Sequence, residues 1–492
     1  MLIIFLFFFI YYQVFFADYA YLDEIHQLWH NKDGSNYNMF FSQGRWLTGL
    51  LINKLFGGLS AIDELKYLRI FSFTGWVITT IVWHIVFSKW VRAMKLDSRL
   101  PILSDVFIAS CIAVSIYIGW ASCLELFIAT GAGLISGHLL FYTLHGVQGY
   151  LRIPTTILVL SIAAGLCSLF LYQSAFGIFL LPFLIYYIQS KKIKPDRIVW
   201  IGIATYFFIY VIYYFLFRYS LQHSNVQAGD RVGISLDVLK KASFFFSGPL
   251  PSAFSINILY SPRSIFSQIA YPLISITWII GLFRQNRKQK IISFIWTLGI
   301  IIIFLLLIYL PSMIAIESFA SYRTLFPFNL AVFILVMMIV LPFFQSGKKR
   351  NYFTLAICLF LLATGFYNYN FQLINPLKAE YSSVKSFFEK NYTDSVKQVH
   401  FIRADKFMFR ASFCTEAYRD EFGVPSTHRD WVPEPLVRQL VYEKEGKKEI
   451  AENISIVQYP DTAIYRSQHP SMQKGDLIID MNKNFYEHCK KR

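Results

Sequence analysis

Acidic residues are scarce in this sequence. Thirty Asp and Glu stand against 46 Lys and Arg, and charged residues make up only 15% of the 492 positions. Hydrophobic residues take 55% and aromatics 18%, so the chain reads as a polytopic membrane protein rather than a soluble enzyme or a disordered segment. No Gly-rich phosphate loop is visible, which removes the usual nucleotide cradle. No internal repeat or low-complexity tract appears either. Six cysteines make no framework: Cys111, Cys123, Cys167 and Cys358 lie in or beside apolar runs and read as small hydrophobes. Cys414 and Cys489 lie in the polar tail, where an oxidising compartment would allow them to pair; their separation is not legible, and the pairing stays open.

The net charge of +16 would suggest nucleic acid in a soluble protein, but its distribution points elsewhere. From Phe371 onward 19 basic residues balance 17 acidic ones. Much of the excess sits in short connections at residues 190–197, 284–290 and 346–350. Lys/Arg-rich loops between apolar spans fix orientation, so the charge is topogenic. No nucleic-acid partner is expected.

Residues 2–16 are a short apolar run compared with the roughly 20 residues a span needs. Without a basic segment before them they read as a first span rather than a signal core. Further spans are expected at residues 68–87, 102–118, 124–142, 155–171, 174–188, 199–217, 265–283, 291–310, 325–344 and 353–367, about eleven in all. Residues 46–56 have helical apolar spacing and read as an interfacial helix. Alternation places the basic loops, including 89–99, in the cytoplasm. The first loop 17–67, the loop 218–264, the loop 311–324 and the tail then share the outer face.

The expected architecture is therefore a polytopic α-helical membrane domain over residues 1–367 and a small extracytoplasmic α/β domain over 368–492. In the tail, residues 381–390 and 434–444 read as helices, and 398–402, 454–459, 463–465 and 476–479 as short strands.

The candidate chemistry starts in the first outer loop, where Asp18, Asp23, Glu24, His26, His30, Asp33 and Arg45 crowd together. Carboxylates at the mouth of a span are expensive to place. Adjacent residues do not share a helix face, so Asp23 and Glu24 should have separate jobs. Group transfer to a hydroxyl needs a base for the acceptor proton and positive charge for a departing phosphate. Asp23 suits the first task and Arg45 the second; an acidic loop merely paired with Arg45 or Lys32 is the plain alternative. His26 and His30 are four apart, a metal-like spacing with too few companions, so His26 is read as hydrogen-bonding the acceptor or the base. No metal and no cofactor are expected.

Glu125 stands at the outer end of a span and must be paired, protonated or face a polar cavity. Gln173 lies in the polar step Tyr172-Gln173-Ser174, a turn or a sugar contact. Glu317 and the run Ser321-Tyr322-Arg323-Thr324 open a later span. Arg323 suits either bidentate pairing with a phosphate or snorkelling to the interface.

These pieces carry a resemblance. An acidic pair in the first outer loop, followed some twenty residues on by Gly-Arg-Trp-Leu, resembles the glucosyltransferase II family of O-antigen-modifying enzymes. More broadly it is similar to the GT-C superfamily of integral-membrane glycosyltransferases. The matching pieces are Tyr21-Leu-Asp-Glu24, Gly44-Arg-Trp-Leu47, Glu125, Tyr172-Gln-Ser174 and Tyr322-Arg-Thr324. Family members often carry two aspartates where this chain has Asp23-Glu24; the Asp-Glu form is similar to protein mannosyltransferases and lipid A aminoarabinose transferases. The resemblance implies a polyprenyl-phosphate-linked sugar donor, a glycan or lipid-linked acceptor, inversion, and transfer on the outer face of a cytoplasmic membrane. It implies Asp23 as base, with Glu24, Arg45, Glu125 and Arg323 as further carry-overs. The residues' own placement adds Tyr322 to Arg45 and Arg323 toward the donor phosphate, and His26, Gln173 and Glu317 to Glu125 toward substrate. A transporter or flippase of lipid-linked glycans, or a polymerase or ligase, is the other expectation. Transporters place ionisable groups near the bilayer midplane and often repeat their halves, whereas these acids gather at outer span ends.

Overall fold

The apolar runs become helices because an unpaired backbone cannot cross hydrocarbon. A computed structural model describes residues 1–146, 154–229, 233–235, 237–261, 264–285, 291–318, 320–344, 346–418, 421–468 and 475–490. Among these, eight helices are long and apolar enough to span a bilayer, or nine if one bent pair is a single span. The chain is a polytopic helical membrane protein. Leu2–Phe15 and Thr155–Leu171 are shorter apolar helices. Parts of the expected connections fall outside the described residues: 147–153, 230–232, 286–290 and 319.

The bent pair is Leu100–Ser110 and Ile112–Gly119, turned by 46° at Cys111. The break frees the Ser110 carbonyl, which accepts from Asn257 Nδ2 at 2.9 Å. Gly365 packs directly on this break, where a Cβ would stand 2.6 Å from Ser110 Cβ. Residues 102–118 are thus not the straight span expected from hydropathy.

A second departure concerns the boundary at 367/368. Polarity rises at Asn368, but the helix does not end there. Gly347–Asn391 is continuous over 45 residues, with a π turn at Asn368–Ile374. At 1.5 Å per residue it is about 67 Å long, far beyond a hydrocarbon core of ~30 Å. Its distal part therefore stands clear of the lipid. The polar turn is tied to the first helix: Asn370 Nδ2 donates to the Ile10 carbonyl and Gln13 Nε2 donates to Asn370 Oδ1, both at 2.9 Å. The two regions expected as separate domains are joined by one helix, not by a linker.

At one end of the bundle the basic connections touch. Asp97 pairs with Arg99 at 3.1 Å and with Arg350 at 3.0 Å. At the other end the first loop folds into short helices, Asp23–Trp29, Ser35–Ser42 and Trp46–Phe56.

The tail holds a three-stranded parallel sheet: β1 (Gln398–Ile402), β2 (Ser455–Tyr459) and β3 (Leu477–Asp480), in the order β2-β1-β3. Val399 and Phe401 on β1 are fully buried. Helices Asn375–Asn391 and Met481–Lys490 pack against β3 and each other, while Pro433–Glu445 lies against the Asp23–Trp29 helix. Residues 463–465, expected as a strand, belong to the helix Thr462–Gln468. Three apolar-looking residues are too few to distinguish the two periods. Cys414 and Cys489 are both free thiols.

Candidate active site

Site geometry begins with the backbone before Asp23. Leu22 adopts φ 47°, ψ −113°, a conformation a side-chain-bearing residue rarely takes. Such a residue costs on the order of 1–3 kcal/mol and persists only where its surroundings fix it. Here they do: the Leu22 amide donates to Ser426 Oγ at 3.3 Å, and the Tyr21 amide donates to Glu24 Oε2 at 2.7 Å. The helix Asp23–Trp29 then starts with two acids in its first turn, where the helix dipole favours them.

The two carboxylates part at once. Glu24 is fully buried. Arg69 Nη2 reaches its Oε2 at 2.5 Å, and the Ala121 amide donates to its Oε1. Arg69 in turn stacks on Tyr19, 3.5 Å from the ring centroid, and donates to the Tyr19 carbonyl. Both Glu24 oxygens are occupied and neither meets an open surface. The direct share in chemistry expected for Glu24 does not fit this place; its role is to pin the loop to the span that carries Arg69.

Asp23 points the other way and is only half-buried. Its Oδ1 accepts from Trp431 Nε1 of the tail at 3.1 Å. Among the described residues no cation stands within ion-pair distance of it. Its charge does act on Arg323.

Arg323 lies over Trp120, 4.7 Å from the ring centroid, and its Nε is 3.7 Å from Glu421 Oε1. Glu421, from the tail, also accepts from the Ser321 hydroxyl and from the Tyr322 amide at 2.7 Å. Burial pushes the Glu421 carboxyl up, while Arg323 and these donors pull it back. Tyr322 itself is sealed: its ring is buried and its hydroxyl accepts from the Tyr260 amide at 2.8 Å. It supports the Arg323 turn rather than facing a ligand.

Arg45 Nη2 meets Glu125 Oε1 at 2.7 Å, with its guanidinium 4.5 Å from the Tyr172 centroid and 4.9 Å from that of Phe40. Glu125 is fully buried, and among the described residues its Oε2 has no hydrogen-bond partner. Arg45 keeps 14% of its side chain open. Gln173 Nε2 donates to the Gln43 carbonyl and to the Tyr213 hydroxyl, bracing the turn that leads into Arg45. Arg45 and Arg323 both act electrostatically on Glu125 and Tyr172.

His26 lies one turn on from Asp23 with its ring 4.4 Å from that of His30; burial first, then His30, lowers its pKa. His30 is taken up by Asp33 at 2.6 Å. Among the described residues no three His, Cys, Asp or Glu side chains converge as metal ligands would. Glu317 is exposed in the loop before Arg323, and its carbonyl accepts from Lys241 Nζ.

The residues the sequence did not announce are Arg69, Trp120, Glu421 and Trp431. A further one is Glu380, whose carboxylate accepts from the Ser426 and Thr427 amides at 3.0 and 2.8 Å and so holds the tail loop against Leu22. No protein-family model matches the chain, and neither the curated proteins nor the solved structures compared with it give a match.

Proposed function

We propose that the chain is a GT-C-type glycosyltransferase of cell-envelope polysaccharide, transferring a sugar from a polyprenyl-phosphate-linked donor to a glycan or lipid-linked acceptor. The acceptor hydroxyl oxygen attacks the anomeric carbon as the bond from that carbon to the phosphate oxygen breaks. The configuration inverts, the hydroxyl proton passes to Asp23, and the bonding pair leaves with the polyprenyl phosphate. Arg323 and Arg45 stabilise the charge growing on that phosphate, with the work done by charge-assisted hydrogen bonds. Glu24, Glu125, Gln173 and Tyr322 position these groups.

The observation that carries this reading is the state of Asp23: half-buried, hydrogen-bonded by the Trp431 indole of the tail, and with no cation within ion-pair distance among the described residues. A structural acid would be neutralised as Glu24 is. The bent pair and the two short apolar helices complete eleven crossings in this reading. The basic loops bridged by Asp97 then face the cytoplasm, and the site and the tail lie on the outer face of the cytoplasmic membrane. No resident metal or cofactor takes part; the lipid-linked sugar is a co-substrate.

Purified protein incubated with a panel of polyprenyl-phosphate sugars and oligosaccharide acceptors tests the reading. Release of polyprenyl phosphate coupled to acceptor elongation is the expected result. Absence of release with every donor would overturn it in favour of lipid-linked glycan transport.

A further inference from the structure

Trp431 is a large aromatic left 44% exposed at the edge of the candidate site. Its position is set from several sides. The tail loop is clamped by Glu380 through Ser426 and Thr427, and Trp431 Nε1 donates to Asp23 Oδ1. Arg429 lies 5.6 Å from the ring centroid. Next to Asp23, His26 is partly open, and Glu434 of the adjoining tail helix acts on it while pairing with Arg438 at 2.9 Å. The indole is thus held at its N–H edge by Asp23, with the Arg429 guanidinium over the ring and much of its remaining surface open. A Trp buried in hydrocarbon would have apolar neighbours, and here the ring's partners are a carboxylate and a guanidinium. The same set suits a carbohydrate: an apolar surface for the C–H face of a pyranose, with donors and acceptors at its rim for the hydroxyls.

We propose that Trp431, with Asp23 and His26 beside it, forms the acceptor subsite, a platform on which a pyranose ring of a glycan stacks. This rests on the transferase reading above and assigns its acceptor side to the tail. A sugar stacked on the indole has its rim hydroxyls next to Asp23, the carboxylate that the indole N–H orients. The platform thus joins acceptor recognition to the base in one contact.

The test uses the full chain in detergent, labelled and applied to an array of neutral hexose and N-acetylhexosamine oligosaccharides. The wild-type chain should be retained by a subset of these glycans. Trp431→Ala should weaken that retention about tenfold, and Trp431→Phe, which keeps an aromatic face, should keep most of it. Should the alanine variant elute as aggregate, Trp431→Leu keeps bulk without a π face and is read in the same way. In the transfer assay the acceptor KM should rise while the donor KM holds. Unchanged retention in Trp431→Ala, or no glycan retained by the wild-type chain, overturns the subsite. So does a component of fluorescence quenching by brominated lipid in nanodiscs that is lost in Trp431→Phe, over the quenching of the remaining nine tryptophans, since it would place the ring in the bilayer. Glycan retention that depends on Trp431 but comes with no transfer from any donor would leave the subsite standing and overturn the transferase reading instead.

Discussion

Glu24 and Arg69, 45 positions apart in the chain, form an ion pair in which both side chains are sealed from solvent. One belongs to the loop after the first helix and the other to the first long span, so the pair decides how that loop sits on the bundle. Removing one partner of a buried pair strands the other charge and costs about 3–5 kcal/mol. Glu24→Gln should therefore show itself first as lower yield and a lower melting temperature in detergent. Replacing both partners with apolar residues of similar size, Glu24→Leu with Arg69→Met, should recover much of that loss. A Glu24→Gln protein that melts normally yet has no turnover would instead place Glu24 in the chemistry.

Arg45 and Glu125 make a second pair of different character, because Arg45 stays partly open while Glu125 does not. That opening lets the guanidinium serve a ligand phosphate as well as its carboxylate. Hydrogen bonds to charged groups are worth roughly 1.5–3 kcal/mol, so Arg45→Ala should lower kcat/KM for the lipid-linked donor about 10- to 100-fold. Arg45→Lys keeps the charge but not the planar fork and should recover only part of it. Titrating each variant with polyprenyl phosphate alone separates binding from chemistry. An unchanged donor kcat/KM in Arg45→Ala would limit Arg45 to holding Glu125.

The pH response of the loop that carries Asp23 follows from His26. Burial lowers its pKa from the ordinary 6.5, with His30 acting in the same sense and Asp23, Asp33 and Glu434 opposing. The unfolded chain then binds the proton more tightly than the folded one. Stability from this group is fully present above the unfolded value and is lost as pH falls from about 6.5 toward the lower folded value. Melting temperature should accordingly decline over that window, and His26→Gln should flatten the decline. Equal slopes in the two proteins would remove His26 from the account.

Orientation has its own test in Cys414, which is exposed on the tail. A thiol reagent that cannot cross the membrane should label it in intact cells, with Cys489 reacting more slowly because it is partly covered. Labelling of Cys414 only after lysis would put the tail, and the site it closes, in the cytoplasm.

Much of the secondary structure was legible because its causes are local. The helix Trp46–Phe56 and the strand Gln398–Ile402 have the expected bounds, since apolar spacing within each is unambiguous. The continuation of the last membrane helix through Asn368 was not. Hydropathy falls there, but Gln13, 357 positions away, supplies the hydrogen bond that lets a polar turn stay helical. The site divides in the same manner. Asp23, Arg45, Glu125 and Arg323 stand out as charges in apolar or interfacial surroundings. Glu421 and Trp431 lie in a tail whose charges balance, and nothing near them in sequence marks them. Their importance comes from contacts at separations of 100 and 408 positions.

Asp23 bears the central prediction. Its carboxylate is half-open, receives one hydrogen bond from Trp431, and stands at the start of a helix whose backbone is fixed by Glu24 and Ser426. Asn is nearly isosteric and its Oδ1 can still accept from the indole, so Asp23→Asn should fold, melt and bind polyprenyl phosphate like the wild type. The amide cannot take up a proton from an acceptor hydroxyl, and general-base catalysis is worth roughly 10²–10⁴-fold. Turnover should fall by that factor with the donor KM little changed. Asp23→Glu should restore some activity, because a longer carboxylate is still a base although displaced from its place beside the indole. The contrast with Glu24→Gln is what makes the assignment testable: one variant should lose rate at full stability, the other stability first. Near-wild-type turnover in Asp23→Asn would remove the base from Asp23, and with it the mechanism built on that carboxylate.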